Sequence, residues 1–138
     1  MKKIINSIVW VLLGIVLLGM TSCKDKGRIV EPKDGPAHLL IRERVINLGN
    51  ISRDRGVMKQ EVLLINDGSE TLEISSFENL CHCTHTESDT KSIRPGHGAK
   101  MTIYLNTPDL TPGDFYRTVI VHSNGGDVSV DLKGKMMY

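Results

Sequence analysis

Over residues 37–138 the chain is broken into seven short runs of β-forming side chains, at 39–41, 45–48, 57–65, 72–77, 101–105, 116–121 and 128–132. No window sustains a helical period, and β-branched residues crowd the runs. Seven runs in about a hundred residues is the spacing of a β-sandwich. Alternation supports the same reading. Ile103 and Leu105 fall on one side of their run, and Val128, Val130 and Leu132 are interleaved with Ser129 and Asp131. A period of two places one face in a core and the other in water.

The breaks carry turn chemistry. Asn66-Asp67-Gly68-Ser69 predicts a hairpin-like turn with positive φ at Gly68. Pro95-Gly96 suits the central pair of a type II turn. Asn124-Gly125-Gly126 predicts a hairpin between the last two strands. The expectation is an all-β, immunoglobulin-like sandwich of about seven to eight strands over residues 37–138.

Several of these pieces recur in a fixed order: Val45-Ile46-Asn47-Leu48-Gly49-Asn50-Ile51, the Asn66–Ile74 turn, Cys81-His82-Cys83-Thr84, Ile93-Arg94-Pro95-Gly96, Gly113-Asp114-Phe115, Val121-His122-Ser123-Asn124 and Leu132-Lys133-Gly134. Together they resemble the bacterial Ig-like lipoprotein family of Bacteroidetes type catalogued as domain of unknown function 1573. The resemblance covers about residues 38–136. It implies a sandwich akin to the Ig-like domains of ciliary and centrosomal proteins, and implies no particular activity. His82 departs from the pattern, standing where the family usually has Gly.

Ahead of the domain, residues 1–22 read as a removable leader. Lys2 and Lys3 give a positive start, and an uncharged apolar run over 8–20 precedes Thr21-Ser22-Cys23. This is the layout of a secretory signal, and the run is short for a bilayer span. Met20-Thr21-Ser22-Cys23 resembles a bacterial lipobox, which implies cleavage before Cys23 and acylation of its thiol. Residues 23–36, with Lys24-Asp25-Lys26 and then Pro32, Gly35 and Pro36, read as a flexible tether. The tether lacks an acidic cluster after the cysteine. The expected location is therefore the cell envelope, lipid-anchored in the outer membrane and facing the periplasm, with the cell surface as the alternative.

Charge narrows the partners. The chain carries +1; without Lys2 and Lys3 the acidic groups slightly outnumber the basic ones. No basic stripe suited to phosphates is visible, so no nucleic-acid partner is expected. Beyond the leader the only aromatic residues are Phe77, Tyr104, Phe115, Tyr116 and Tyr138, too few for a stacked carbohydrate platform.

One segment is dense in ligand-type side chains: Cys81-His82-Cys83-Thr84-His85-Thr86-Glu87. If extended, residues 81, 83 and 85 would share a face. Three chemistries fit. The cysteines can bridge as a disulfide in an oxidising compartment. With His85 they can bind Cu(I) or Zn(II), with His97 or His122 as a fourth ligand if folding delivers one. They can also be structural thiols. His38, His97 and His122 otherwise read as strand-end or turn residues. No nucleophile-elbow, Walker or dinucleotide motif is present, so no enzyme is expected and no cofactor beyond the lipid on Cys23. The leading expectation is a non-enzymatic module that binds another envelope protein. The alternative is a redox or copper/zinc protein using Cys81 and Cys83.

Overall fold

The computed structural model describes residues 27–138. The leader, Cys23 and the first part of the expected tether lie outside the described residues.

Two sheets pack face to face. The first has the order β1 (Leu39–Leu40), β3 (Val57–Asn66), β7 (Gly98–Asn106), β5 (Thr84–Ser88). The second has the order β2 (Val45–Ser52), β9 (Val128–Met137), β8 (Gly113–Ser123), β4 (Leu72–Asn79), β6 (Ser92–Ile93). The pairs are antiparallel except β2 with β9, which run parallel. Short 3-10 turns occupy Arg53–Arg55 and Thr107–Asp109.

The seven apolar runs all become strands. The structure adds β5 and β6, making nine strands among the described residues where seven or eight were expected. The reason for missing β5 is chemical: its inward positions are Thr84 and Thr86, both buried. Each threonine satisfies its hydroxyl locally. Thr84 Oγ1 donates to the Cys81 carbonyl at 3.1 Å, and Thr86 Oγ1 donates to Asn79 Oδ1 at 2.7 Å. A bonded hydroxyl can replace an apolar group in a core at little cost.

The core lies between the sheets. Leu64, Met101, Ile103 and Leu105 from the first sheet face Val119, Val121, Val130 and Leu132 from the second, all 0% exposed. Burying a side chain of this size contributes about 1.5–3 kcal/mol. Among the described residues, every buried side-chain nitrogen or oxygen has a hydrogen-bond partner.

Turn chemistry holds at two of the three predicted sites. Gly96 has φ +74°, and His97 N donates to the Arg94 carbonyl at 3.1 Å. The 124–126 loop joins β8 to β9, with Gly126 at φ +103°. The third differs. Residues 66–71 connect opposite sheets rather than closing a hairpin, and Gly68 is not at positive φ. Its need for glycine is space: a Cβ there would sit 2.0 Å from the Pro36 carbonyl oxygen and 2.8 Å from His38 N.

That close approach reveals a second difference. The described part of the expected tether, residues 27–36, lies against the domain. Ile29 N and Val30 N donate to the Gly96 carbonyl at 2.7 and 3.2 Å, and Lys33 N donates to the Asp67 carbonyl at 2.8 Å. Ser69 Oγ donates to the Gly35 carbonyl at 2.6 Å and accepts from Gly35 N at 3.2 Å. Polar composition suggested freedom, but backbone groups of the inter-sheet loops provide a ladder for this strap.

Candidate functional site

The strap marks one end of the sandwich. It crosses the 66–71 and 94–97 loops, and Leu39 N beyond it donates to the Gly125 carbonyl at 3.0 Å. Its ion pairs centre on Asp67, whose side chain is only 4% exposed. Lys33 Nζ lies 3.1 Å from Asp67 Oδ2, and His38 Nδ1 is bonded to Asp67 Oδ1. Burial raises the Asp67 pKa, but hydrogen bonds from His38 and Lys33 outweigh it and leave the carboxyl below its ordinary value. Asn66, fully buried beside it, knits the loop: Nδ2 donates to the Glu70 and Ile93 carbonyls at 2.7 and 2.9 Å, and Oδ1 accepts from Gly68 N at 3.1 Å.

The cysteine segment lies at the other end. β7 runs from Gly98 beside the strap to Asn106, whose N donates to the Cys83 carbonyl at 2.8 Å. Nine strand residues separate the two ends by roughly 25 Å. Residues 81–83 form a turn, closed by Thr84 N on the Cys81 carbonyl at 3.2 Å. Within it Cys81 and Cys83 are joined as a disulfide. Cys83 is buried at 3% exposure and packs on the core, while Cys81 is half-buried. Cys83 N donates to Cys81 Sγ at 3.1 Å, and Arg117 Nε donates to Cys83 Sγ at 3.2 Å. His82 is at no positive φ, so the turn does not need the family's glycine.

The turn resets the alternation, and the three expected ligands do not converge. Cys83 faces the core, whereas His85 is exposed on the outer face of the first sheet. There His85, Tyr104 and Lys59 stand in register across β5, β7 and β3. His85 Nε2 lies 3.2 Å from Glu87 Oε1, Tyr104 Oη donates to Glu87 Oε2 at 3.2 Å, and Lys59 Nζ is 5.3 Å from the Tyr104 ring centre. His97 is in the turn at the strap end, with Nδ1 2.8 Å from the Pro95 carbonyl. His122 sits between Glu78 and Asp127, each nitrogen 3.0 Å from a carboxylate. Among the described residues no group of three or more His, Cys, Asp or Glu side chains is placed to hold a metal ion.

Sequence reasoning missed the surroundings of the disulfide. Leu80, Cys81, His82, Tyr116, Arg117 and Thr118 line an open hollow of about 390 Å³. Leu80 and Tyr116 are 59% and 56% exposed and flank the half-buried Cys81. Leu80 is brought there by its N donating to the Thr118 carbonyl at 3.2 Å. Arg117 is 34 residues from Cys83 in sequence, and the β4–β8 pairing helps bring their neighbourhoods together. The single available signal was the alternation of β8, which sets the side of the sheet each residue takes.

Solved structures share this architecture. A protein of unknown function from Porphyromonas gingivalis W83 aligns with TM-score 0.65 and 12% identity, over 77% of this chain and 49% of that one. The chain thus spans about half the length of that protein. The ASH / PapD-like domain 7 of human CEP192 aligns with TM-score 0.53 and 14% identity, over 81% of this chain and 95% of that one. The secreted serine protease VesC of Vibrio cholerae aligns with TM-score 0.52 and 14% identity, over 72% of this chain and 23% of that one. At such identities these likenesses show the fold alone. No curated protein matches the sequence. The family model described as "Protein of unknown function (DUF1573)" matches residues 39–136, from the first strand to the last, and the chain belongs to that family.

Proposed function

We propose that this chain is a membrane-tethered lipoprotein, acylated on Cys23, whose Ig-like domain is a non-enzymatic module for binding or assembling another envelope protein. The observation that carries the reading is the strap. Arg28 is five residues beyond Cys23 and its neighbour Ile29 is already bonded to Gly96. Five residues reach at most about 18 Å. A lipid on Cys23 would hold the strap end beside the headgroups, in the outer membrane and facing the periplasm. The opposite end, with Leu80 and Tyr116, is then presented to a partner. Tethering raises the local concentration of a partner in the same envelope, so a modest contact suffices.

Two measurements test this. Cells fed labelled palmitate should label the wild-type protein in the membrane fraction, and Cys23→Ala should abolish both label and membrane retention. Photo-crosslinkers placed at Leu80 or Tyr116 should capture an envelope protein that one placed at Asn124, beside the strap, does not. Unlabelled wild-type protein in the soluble fraction would refute the anchor, and equal capture from both ends would refute the presented face.

A further inference from the structure

We propose that the Cys81–Cys83 pair is a thiol–disulfide exchange site for a peptide carrying two cysteines or a small dithiol, with Arg117 as the residue that stabilises the departing sulfur. The proposal goes beyond binding and does not require the lipid anchor.

Access is asymmetric. Cys81 lines the open hollow, whereas Cys83 faces the core and is almost wholly buried. An incoming thiol therefore meets the Cys81 sulfur. A thiolate attacks it, a new sulfur–sulfur bond forms to Cys81, and the Cys81–Cys83 bond breaks. The electron pair of that bond leaves with Cys83 as a thiolate. A second thiol of the substrate, as thiolate, then attacks the substrate sulfur of the mixed disulfide and expels Cys81 as a thiolate. The substrate's two thiols become one disulfide and give up two protons. The protein pair takes up two electrons and two protons.

Both leaving sulfurs already have a donor. Arg117 Nε points at Cys83 Sγ from 3.2 Å, and the Cys83 backbone N–H points at Cys81 Sγ from 3.1 Å. A guanidinium beside a sulfur favours its thiolate, and a better leaving thiolate exchanges faster. Arg117 is itself held by Nη1 donating to the Tyr116 carbonyl at 2.8 Å. The bonds from Asn106 N to the Cys83 carbonyl, and from Thr84 N and Oγ1 to the Cys81 carbonyl, hold the backbone on both sides. They keep the two sulfurs adjacent after reduction, ready to close again. The exposed Leu80 and Tyr116 give the hollow an apolar rim on which a peptide can rest.

The test uses the full chain in detergent, equilibrated in glutathione buffers, quenched by alkylation and digested with trypsin. Residues 60–91 hold Cys81 and Cys83 and no other cysteine, and no Lys or Arg before Lys91. One peptide therefore reports the pair whatever the state of Cys23. In the folded protein, millimolar glutathione should open the bond, the trapped glutathione adduct should sit on Cys81, and oxidised glutathione should close the pair again. Arg117→Gln should slow opening about threefold or more. A bond that resists glutathione until the chain unfolds, an adduct on Cys83, thiols that do not reclose, or an Arg117→Gln rate equal to wild type would each overturn the proposal. Position of the adduct is read on wild-type protein, so it stands even if the variant folds poorly.

Discussion

Lys33 sets its ammonium 3.1 Å from the carboxylate of Asp67, tying a segment with the composition of a linker to a loop between the two sheets. Asp67→Ala should therefore loosen the strap more than the sandwich. Lys33 and His38 are both largely solvent-exposed, so losing their ion pairs should cost only about 1 kcal/mol of global stability. Limited trypsin cleavage after Lys33 should accelerate several-fold. The Asp67 pKa lies below its ordinary value of 3.8, so this contribution is complete above that pH. It is lost as pH falls through the lower, folded-state value, and protection of the Lys33 amide against hydrogen exchange in wild type should then approach that of the variant.

Asn66→Ala should be more damaging. Its side chain meets the Glu70 and Ile93 carbonyls and Gly68 N in a site with no solvent. Removing it leaves those backbone groups without their partner, a loss of about 2–3 kcal/mol by chemical denaturation.

Gly68→Ala should act on the strap through sterics alone. The new methyl would meet Pro36 and His38 backbone, which cannot swing aside as a side chain can. The expected outcome is a fall of about 1–3 kcal/mol in stability and faster amide exchange at Lys33 and Gly35. An unchanged exchange pattern would show that the strap does not depend on this approach.

His122 should make stability depend on pH near neutrality. Its hydrogen bonds to Glu78 and then Asp127 raise its pKa above the ordinary 6.5, against an opposing effect of desolvation. The stabilisation is complete below pH 6.5 and is lost as pH rises through the folded-state value. Thermal unfolding of wild type should show a fall in Tm over that window which His122→Gln lacks.

How much of this was legible in the sequence depends on what each residue touches. The alternation of Ile103 with Leu105, and of Val128, Val130 and Leu132, reports a core directly, because apolar side chains have no other reason to repeat every second position. Gly96 and Gly126 were legible through turn type, a local property. Gly68 was misread because its constraint comes from Pro36, more than thirty residues away, and no local rule encodes it. Thr84 and Thr86 hid β5 because buried threonine looks like surface threonine until its hydroxyl finds a partner. The Cys81–Cys83 segment stood out by composition, but its orientation away from His85 and its partner Arg117 came from the turn and the sheet.

The parallel pairing of β2 with β9 has a consequence for how the molecule is made. Val45 lies beside Asp131 and Ser52 beside Met137, so among the described residues β2 finds its only strand neighbour in β9. A polypeptide emerging N-terminus first must leave that strand unpaired until residues 128–137 have appeared. Closing that edge is then a late event with a large loop to close.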